Sequence, residues 1–429
     1  MSKKTVTVAI IGCGARGKDT YANLKFKLGD EMEIVAAVDS DEKQLLLMQK
    51  KYGLKPENCY TNTDDFFSQG RIADVVFICT LDRLHYKNTI DALNTGYHIL
   101  LEKPISNDLK ECREIEELAI SKKRFVVVCH VLRYTPFYGK LKELIDSGII
   151  GDVVSIQAIE MVGYWHHCHS FVRGNWRNSD ETSPMILQKC CHDFDIYLWL
   201  CGKHCEKVSS FGNLKLFKSE NAPEGAAKRC LDNCKYVDTC EFSAPKYYLS
   251  EIKRGNKGWP VNLLNPEPTE ENVTESLKTS PYGRCVYHCD NNVVDHQVVN
   301  LQLQDGVTIN FTMCAFTKNC VRKMRIMGTK GEIEGDMETN KIIVKPFADE
   351  DIVIDVSTLA DDFSGHAGGE IFMLKKLFEL VENEEKYADE ISILSDSVES
   401  HYVAWAAEKS RLENGNVIDL ETFKNNILA

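Results

Sequence analysis

The chain has 429 residues, 43% hydrophobic and 27% charged, which excludes a disordered or fibrous protein and allows two domains of about 150 to 250 residues each. A formal net charge of -13, with Lys and Arg scattered rather than gathered in a stripe, argues against a nucleic-acid partner. No run of about 18 apolar residues is present to span a bilayer, and a glycine loop closes the first apolar segment too early for a signal peptide. A soluble, cytoplasmic protein with no membrane partner is expected.

From Thr5 to about Cys129, β-branched runs alternate with amphipathic stretches: Val6 to Ile11, Ile34 to Val38, Val75 to Cys79, His98 to Leu101 and Phe125 to Val128. Such alternation predicts a doubly wound parallel sheet, the Rossmann type, over residues 1–130. Gly12-Cys13-Gly14-Ala15-Arg16-Gly17 follows the first strand and opens a helix, where a dinucleotide fingerprint belongs. In this reading Gly12 permits the tight turn, Gly14 lets the backbone approach a pyrophosphate, and Gly17 lets helix and strand pack closely. Asp39 ends the second strand, the place for a carboxylate that accepts from the adenosine ribose and repels a ribose phosphate. NAD is therefore expected over NADP.

Residues 131–429 predict an α+β domain with an open, mainly antiparallel sheet. Lys140 to Ser147 and Ile186 to Leu200 read as helices. Val153 to Met161 and Val298 to Phe316 alternate like strands with one solvated face, and Arg322 to Met327, Gly331 to Glu334 and Ile342 to Val344 continue the strand-rich run. Between about 214 and 295, Pro223, Pro245, Pro260, Pro266 and Pro268, several Gly and a cluster of Cys predict an insertion with only short regular elements. The stretches from Gly368 to Val381 and from Ser392 to Leu412 have helical spacing and are expected to pack back on the first domain.

Two further motifs stand at strand ends, Cys79-Thr80-Leu81-Asp82-Arg83-Leu84-His85 and Leu101-Glu102-Lys103-Pro104-Ile105. With the glycine loop, they resemble the Gfo/Idh/MocA family, named for glucose-fructose oxidoreductase, inositol dehydrogenase and a rhizopine catabolism protein. The resemblance continues through Arg133-Tyr134-Thr135-Pro136, Gln188 to Asp195, Gly328 to Gly331 and Gly365-His366-Ala367-Gly368-Gly369. It implies an N-terminal Rossmann domain, a C-terminal sheet that forms the substrate site, and a homo-oligomer, dimer or tetramer. It also implies that Ala15, Arg16, Thr80, His85, Glu102 and Lys103 join Gly12, Gly14, Gly17 and Asp39 around the cofactor. Lys103 takes the family's catalytic place between nicotinamide and substrate hydroxyl. An ammonium in a partly dry pocket beside a cationic ring loses its proton more easily. Pro104 is expected to fix the backbone that aims it.

His192 corresponds to the family's catalytic His, with Asp195 three residues later on the same helical face to orient it. Many relatives carry an Asp four residues before this His. Here that position is Gln188, which cannot be a base, so Lys189 is expected to take over substrate binding or the proton relay. Arg133, Tyr134 and Asp195 are further substrate candidates. So are Tyr164, Trp165, His166, Arg173 and Trp176, since aromatic faces pack on sugar rings while His and Arg donate to hydroxyls. The same loop reads equally as a plain aromatic cover on the sheet, and its three His could suggest a metal. Cys79 and Cys129 lie in strand-like runs and read as reduced core residues. Cys230, Cys234, Cys240, Cys285 and Cys289 in the insertion fit a Zn site formed by a subset of them, an iron–sulfur cluster, or reduced thiols without a metal.

The residues and the resemblance together imply an NAD-dependent oxidoreductase that oxidises a ring hydroxyl of a sugar, polyol or glycoside. Two other functions fit the same features. One is a glycoside-cleaving enzyme whose tightly bound NAD oxidises the ring transiently before elimination; the other is a non-catalytic NAD-binding sensor.

Overall fold

The structure is a computed structural model and describes residues 5–360, 368–384, 386 and 393–428. Six strands form the first sheet: β1 (Val6–Ile11), β2 (Met32–Val38), β3 (Cys59–Tyr60), β4 (Val75–Ile78), β5 (His98–Leu101) and β6 (Val126–Val128). Their order is β3-β2-β1-β4-β5-β6 and every pairing is parallel. β4, β5 and β6 are buried at every position, which is why they read as unbroken apolar runs and do not alternate. The order reverses beside β1, so the crevice of such a sheet lies beyond the carboxyl ends of β1 and β4. Crossover helices are punctuated as the sequence suggests. Asp41 and Asp108 accept from Lys43 N and Lys110 N at two helix starts, and Gly96 ends His85–Thr95 in the left-handed conformation.

The second sheet has nine strands: β7 (Val153–Met161), β8 (Cys205–Asn213), β9 (His296–Leu303), β10 (Thr308–Cys314), β11 (Val321–Gly328), β12 (Gly331–Asp336), β13 (Lys341–Pro346), β14 (Ile352–Asp355) and β15 (Ile418–Asp419). Their order is β14-β13-β12-β11-β7-β10-β9-β8-β15, antiparallel apart from the β7–β10 pair. Helix Met185–Cys201 packs on the buried face, where Phe194 and Tyr197 meet Phe311. Nearly all of this helix is buried, including Gln188, His192, Asp193 and Asp195. Buried polar groups need partners, which makes this helix the place to look for chemistry.

One expectation needs correction. The insertion contains two full helices, Ala244–Lys253 and Glu270–Thr279. Pro245 sits in the first turn of one, where no backbone N–H is needed, and Thr269 caps the other. These prolines and polar residues therefore start helices instead of preventing them. Their apolar faces close on Cys230 and Val261 as a small separate core.

Helix Gly369–Glu382 lays Met373, Leu374, Leu377 and Phe378 against Val6, Val8 and Ile10 of β1. Helix Ile393–Leu412 lies against Leu109–Lys122, β6 and Met185–Cys201. Of the motif 365–369, Gly365, His366 and Ala367 lie outside the described residues.

Candidate active site

The glycine loop shows why its small residues are needed. Gly12 has φ +90°, and a Cβ there would stand 2.7 Å from the Cys79 carbonyl carbon. At Gly17 a Cβ would meet Gly12 O at 1.9 Å. Gly14 differs: it is exposed, with nothing within 4 Å of a Cβ position, so its backbone is open to a ligand. The helical run that begins at Ala15 continues through Tyr21, and Asp39 Oδ2 accepts from Cys13 N at 2.7 Å at the end of β2. Open backbone at Gly14, a helix starting beside it and a carboxylate at the end of β2 fit a dinucleotide with an unphosphorylated ribose.

Three residues expected around the cofactor make side-chain contacts within the protein. Arg16 points inward: Nε donates to Glu102 Oε1 at 2.6 Å, Nη2 to Tyr21 OH at 2.6 Å and Nη1 to Glu370 Oε1 at 3.3 Å. Glu102 receives Arg16 and Tyr21 and is buried; burial pushes its carboxyl up, but Arg16 overrides this and holds it below its ordinary value. The pair is an internal brace under the loop. His85 is also buried, with Nδ1 2.7 Å from Pro104 O and Nε2 3.0 Å from Thr80 O. It ties the Thr80 turn to the Lys103–Pro104 turn and does not line the crevice.

Lys103 leaves the end of β5 and crosses to the second domain, where Nζ donates to the Gln188 carbonyl at 2.7 Å. Burial, helped by Lys189 and Arg16, lowers its pKa against the opposing pull of Cys191 and Glu102. His192 lies one turn further along helix Met185–Cys201 and is buried. Asp195, expected to orient His192, is held by Arg133 and His130. Asp195 accepts from Arg133 Nε and Nη2 at 2.6 and 2.7 Å and lies 2.8 Å from His130 Nδ1. Burial raises Asp195, yet Arg133 and His130 bring it down to about 2. His130 is the counterpart: burial lowers it, and Asp195 with Cys191 raises it up to about 9. Its ring stands 5.5 Å from that of His192 and 5.8 Å from that of His401. His401 Nε2 accepts from Ile105 N at 2.9 Å, which anchors the turn carrying Lys103. Arg133 and Asp195 thus belong to a buried charge network behind His192 and not to a substrate-contacting surface.

Lys189 lies 3.2 Å from Glu160 Oε1 and 4.0 Å from Cys320 Sγ. Burial lowers its pKa, but Cys320 and Glu160 outweigh that and raise it, so Lys189 stays a cation suited to binding and not to accepting protons. Glu160 also faces Arg322 at 3.0 Å, and Arg322 grips Asp193 at 2.7 and 3.0 Å.

His166 Nδ1 is 3.4 Å from Cys320 Sγ, and Trp165 stacks on His166 with ring centroids 5.5 Å apart. Tyr164 is half-buried with its ring 6.4 Å from Phe242. Tyr134 and Trp176 pack half-buried against the two large cores. Arg173 is corrected: it is 3% exposed and donates to the backbone carbonyls of Arg284 and Phe242 at 2.8 and 2.7 Å, tying the insertion to the loop.

The zinc expectation finds no support in the geometry. Among the described residues no three His, Cys, Asp or Glu side chains group to hold a metal ion. Cys230, Cys234, Cys240 and Cys285 border a 20 Å³ void with Val237 and Phe242. Burial pushes the Cys285 thiol up to about 11 and raises Cys240 and Cys289, which keeps them protonated. Sequence reasoning missed His130, His401, Glu160 and Cys320. His130 alone had a local signal, its place at the carboxyl edge of β6.

A Rossmann sheet whose fifth strand leads to a half-buried Lys that reaches the second domain, with a His on the facing helix, defines a dinucleotide-dependent oxidoreductase. Residues 6–130 match the oxidoreductase family model with an NAD-binding Rossmann fold, and residues 142–417 match its C-terminal alpha/beta domain. The chain belongs to the Gfo/Idh/MocA oxidoreductase family. It is 24% identical over 367 residues to the oxidoreductase YteT of Bacillus subtilis, covering 81% of this chain and 82% of that one. Inositol 2-dehydrogenase of Burkholderia ambifaria is 28% identical over 201 residues, 46% of this chain and 55% of that one. The crystal structure of an inositol dehydrogenase homologue from Azotobacter vinelandii, complexed with NAD+, superposes with a TM-score of 0.69 at 16% identity over 97% of each chain.

Proposed function

We propose that this chain oxidises a ring hydroxyl of a sugar, polyol or glycoside, with NAD held by Gly12, Gly14, Gly17 and Asp39. The observation that carries the reading is Lys103, a half-buried amine of lowered pKa just past the carboxyl end of β5, whose Nζ donates to the carbonyl of Gln188, one helical turn before His192. NAD, when bound, supplies the hydride acceptor. Lys103 donates to the substrate hydroxyl and positions it. His192 takes the hydroxyl proton as the carbon loses its hydride, so alcohol becomes carbonyl with the proton left on the imidazole. The His130–Asp195–Arg133 network fixes the protein behind His192, and Lys189 offers a cation to substrate oxygens. The likeness to inositol 2-dehydrogenase supports a polyhydroxylated ring as substrate.

The test is NADH formation by purified protein across sugars, polyols and glycosides, repeated with Lys103→Met. The variant should bind NAD normally and lose about a hundredfold to ten-thousandfold in kcat. A Lys103→Met protein with wild-type turnover refutes the reading.

A further inference from the structure

Residues 258–263 of the insertion pack against the aromatic loop that follows β7. Trp259 remains 39% exposed although its ring stands 5.1 Å from His166, 5.3 Å from His169 and 5.6 Å from Trp165. Trp165 in turn stacks on Tyr247 at 5.6 Å, with the planes 21° apart. Pro260 and Val261, the next two residues, are buried, so the indole is presented by an anchored segment. Asn262 extends the anchor to the first domain, donating to Asp19 Oδ2 at 3.4 Å in the helix after the glycine loop. The segment therefore bridges the substrate wall and the cofactor domain.

From this indole, consecutive contacts lead inward to the catalytic lysine. His166 meets Cys320 at 3.4 Å, Cys320 meets Lys189 at 4.0 Å, and Lys189 follows Gln188, whose carbonyl receives Lys103. Gln188 Oε1 is buried and accepts no hydrogen bond within the protein, an acceptor suited to a ligand hydroxyl. The two imidazoles beside the indole are neutral. Burial first, then Lys189, holds His166 well below its ordinary pKa, and burial with Arg173 brings His169 down to about 3. An exposed indole beside neutral imidazoles suits the apolar face of a neutral pyranose, not a phosphate or a carboxylate.

We propose that Trp259 and Trp165 form a second subsite for a neutral sugar ring linked to the one being oxidised. The substrate is then a glycoside or oligosaccharide and not a free monosaccharide or cyclitol. This rests on the dehydrogenase reading above and makes the insertion a determinant of substrate length.

The experiment compares glucose, galactose, mannose and myo-inositol with cellobiose, maltose, lactose and gentiobiose. NADH formation is measured alongside saturation-transfer NMR of each sugar with the NAD-loaded protein. At least one disaccharide should exceed its component monosaccharides about tenfold in kcat/KM. Trp259→Ala should cut that preference about tenfold to a hundredfold, chiefly through KM, as expected for removal of one well-covered apolar side chain. Trp259→Phe, which keeps an aromatic face, should restore much of it, and NAD titration with near-UV circular dichroism confirms that both variants are folded. Equal kcat/KM for mono- and disaccharides, or a preference unchanged in Trp259→Ala, overturns the subsite while leaving the dehydrogenase intact. Failure to bind NAD, or turnover indifferent to Lys103→Met, brings down the underlying reading and the subsite with it.

Discussion

The buried pair of His130 and Asp195 makes stability depend on pH in a defined direction. In the unfolded chain the imidazole titrates near its ordinary 6.5, and in the folded protein Asp195 and Cys191, against burial, hold it up to about 9. A pKa raised by folding stabilises the protein fully below the unfolded value, and that contribution disappears as pH rises through the folded value. The window is therefore about 6.5 to 9. At about 1.4 kcal/mol per pH unit the loss across it is about 3 kcal/mol. Asp195 itself, at about 2, remains a carboxylate throughout and adds no slope there. Urea unfolding of the cofactor-free wild type and of His130→Gln, at pH about 6 and about 9.5, isolates the effect. The variant should be less stable by about 3 kcal/mol at the lower pH and nearly equal to wild type at the higher one. Parallel stability curves for the two proteins across that range would refute the reasoning.

Asp39→Ala should narrow the preference for NAD over NADP by about tenfold or more in kcat/KM, since the like charge facing a ribose phosphate is gone; a wild-type protein indifferent between the two cofactors excludes this role. Arg173→Met leaves two backbone carbonyls without their charged donor, so residues 214–295 should be cut faster by protease while NAD affinity holds; an unchanged cleavage pattern contradicts the tie. If Lys103 and His192 handle one proton, Lys103→Met with His192→Ala should cost far less in kcat than the product of the two singles. Multiplicative losses would assign them separate tasks.

Much of the first sheet was legible because buried parallel strands announce themselves as apolar runs between glycine turns. β3 was not: with two residues, it carries no period. Prolines in the insertion misled because a proline starts a helix as readily as it prevents one, and only the capping context tells which. The places of Lys103 after β5 and of His192 on the facing helix could be read because each lies within a local motif. The network behind them could not, since His130 meets Asp195 and His401 meets Ile105 across 65 and 296 residues, and no local pattern encodes such pairings. Arg16, Glu102 and His85 show the complementary error. A motif tells that a side chain sits at the cofactor crevice, but whether it faces the ligand or braces the backbone beneath is decided by packing.

Helix Gly369–Glu382 completes one face of the first sheet, and this has a consequence for how the protein is made. All six strands have been synthesised once Val128 emerges, but Met373 and its neighbours, which cover Val6, Val8 and Ile10, follow roughly 245 residues later. At about 5–20 residues per second the sheet waits about 12 to 50 s with an apolar face in water. During that interval it is a substrate for chaperones and a site for sticking to a neighbouring nascent chain. A premature stop codon anywhere ahead of this helix would thus release a sticky fragment in place of a smaller dinucleotide binder, and fusing residues 369–382 directly behind β6 is the way to rescue it.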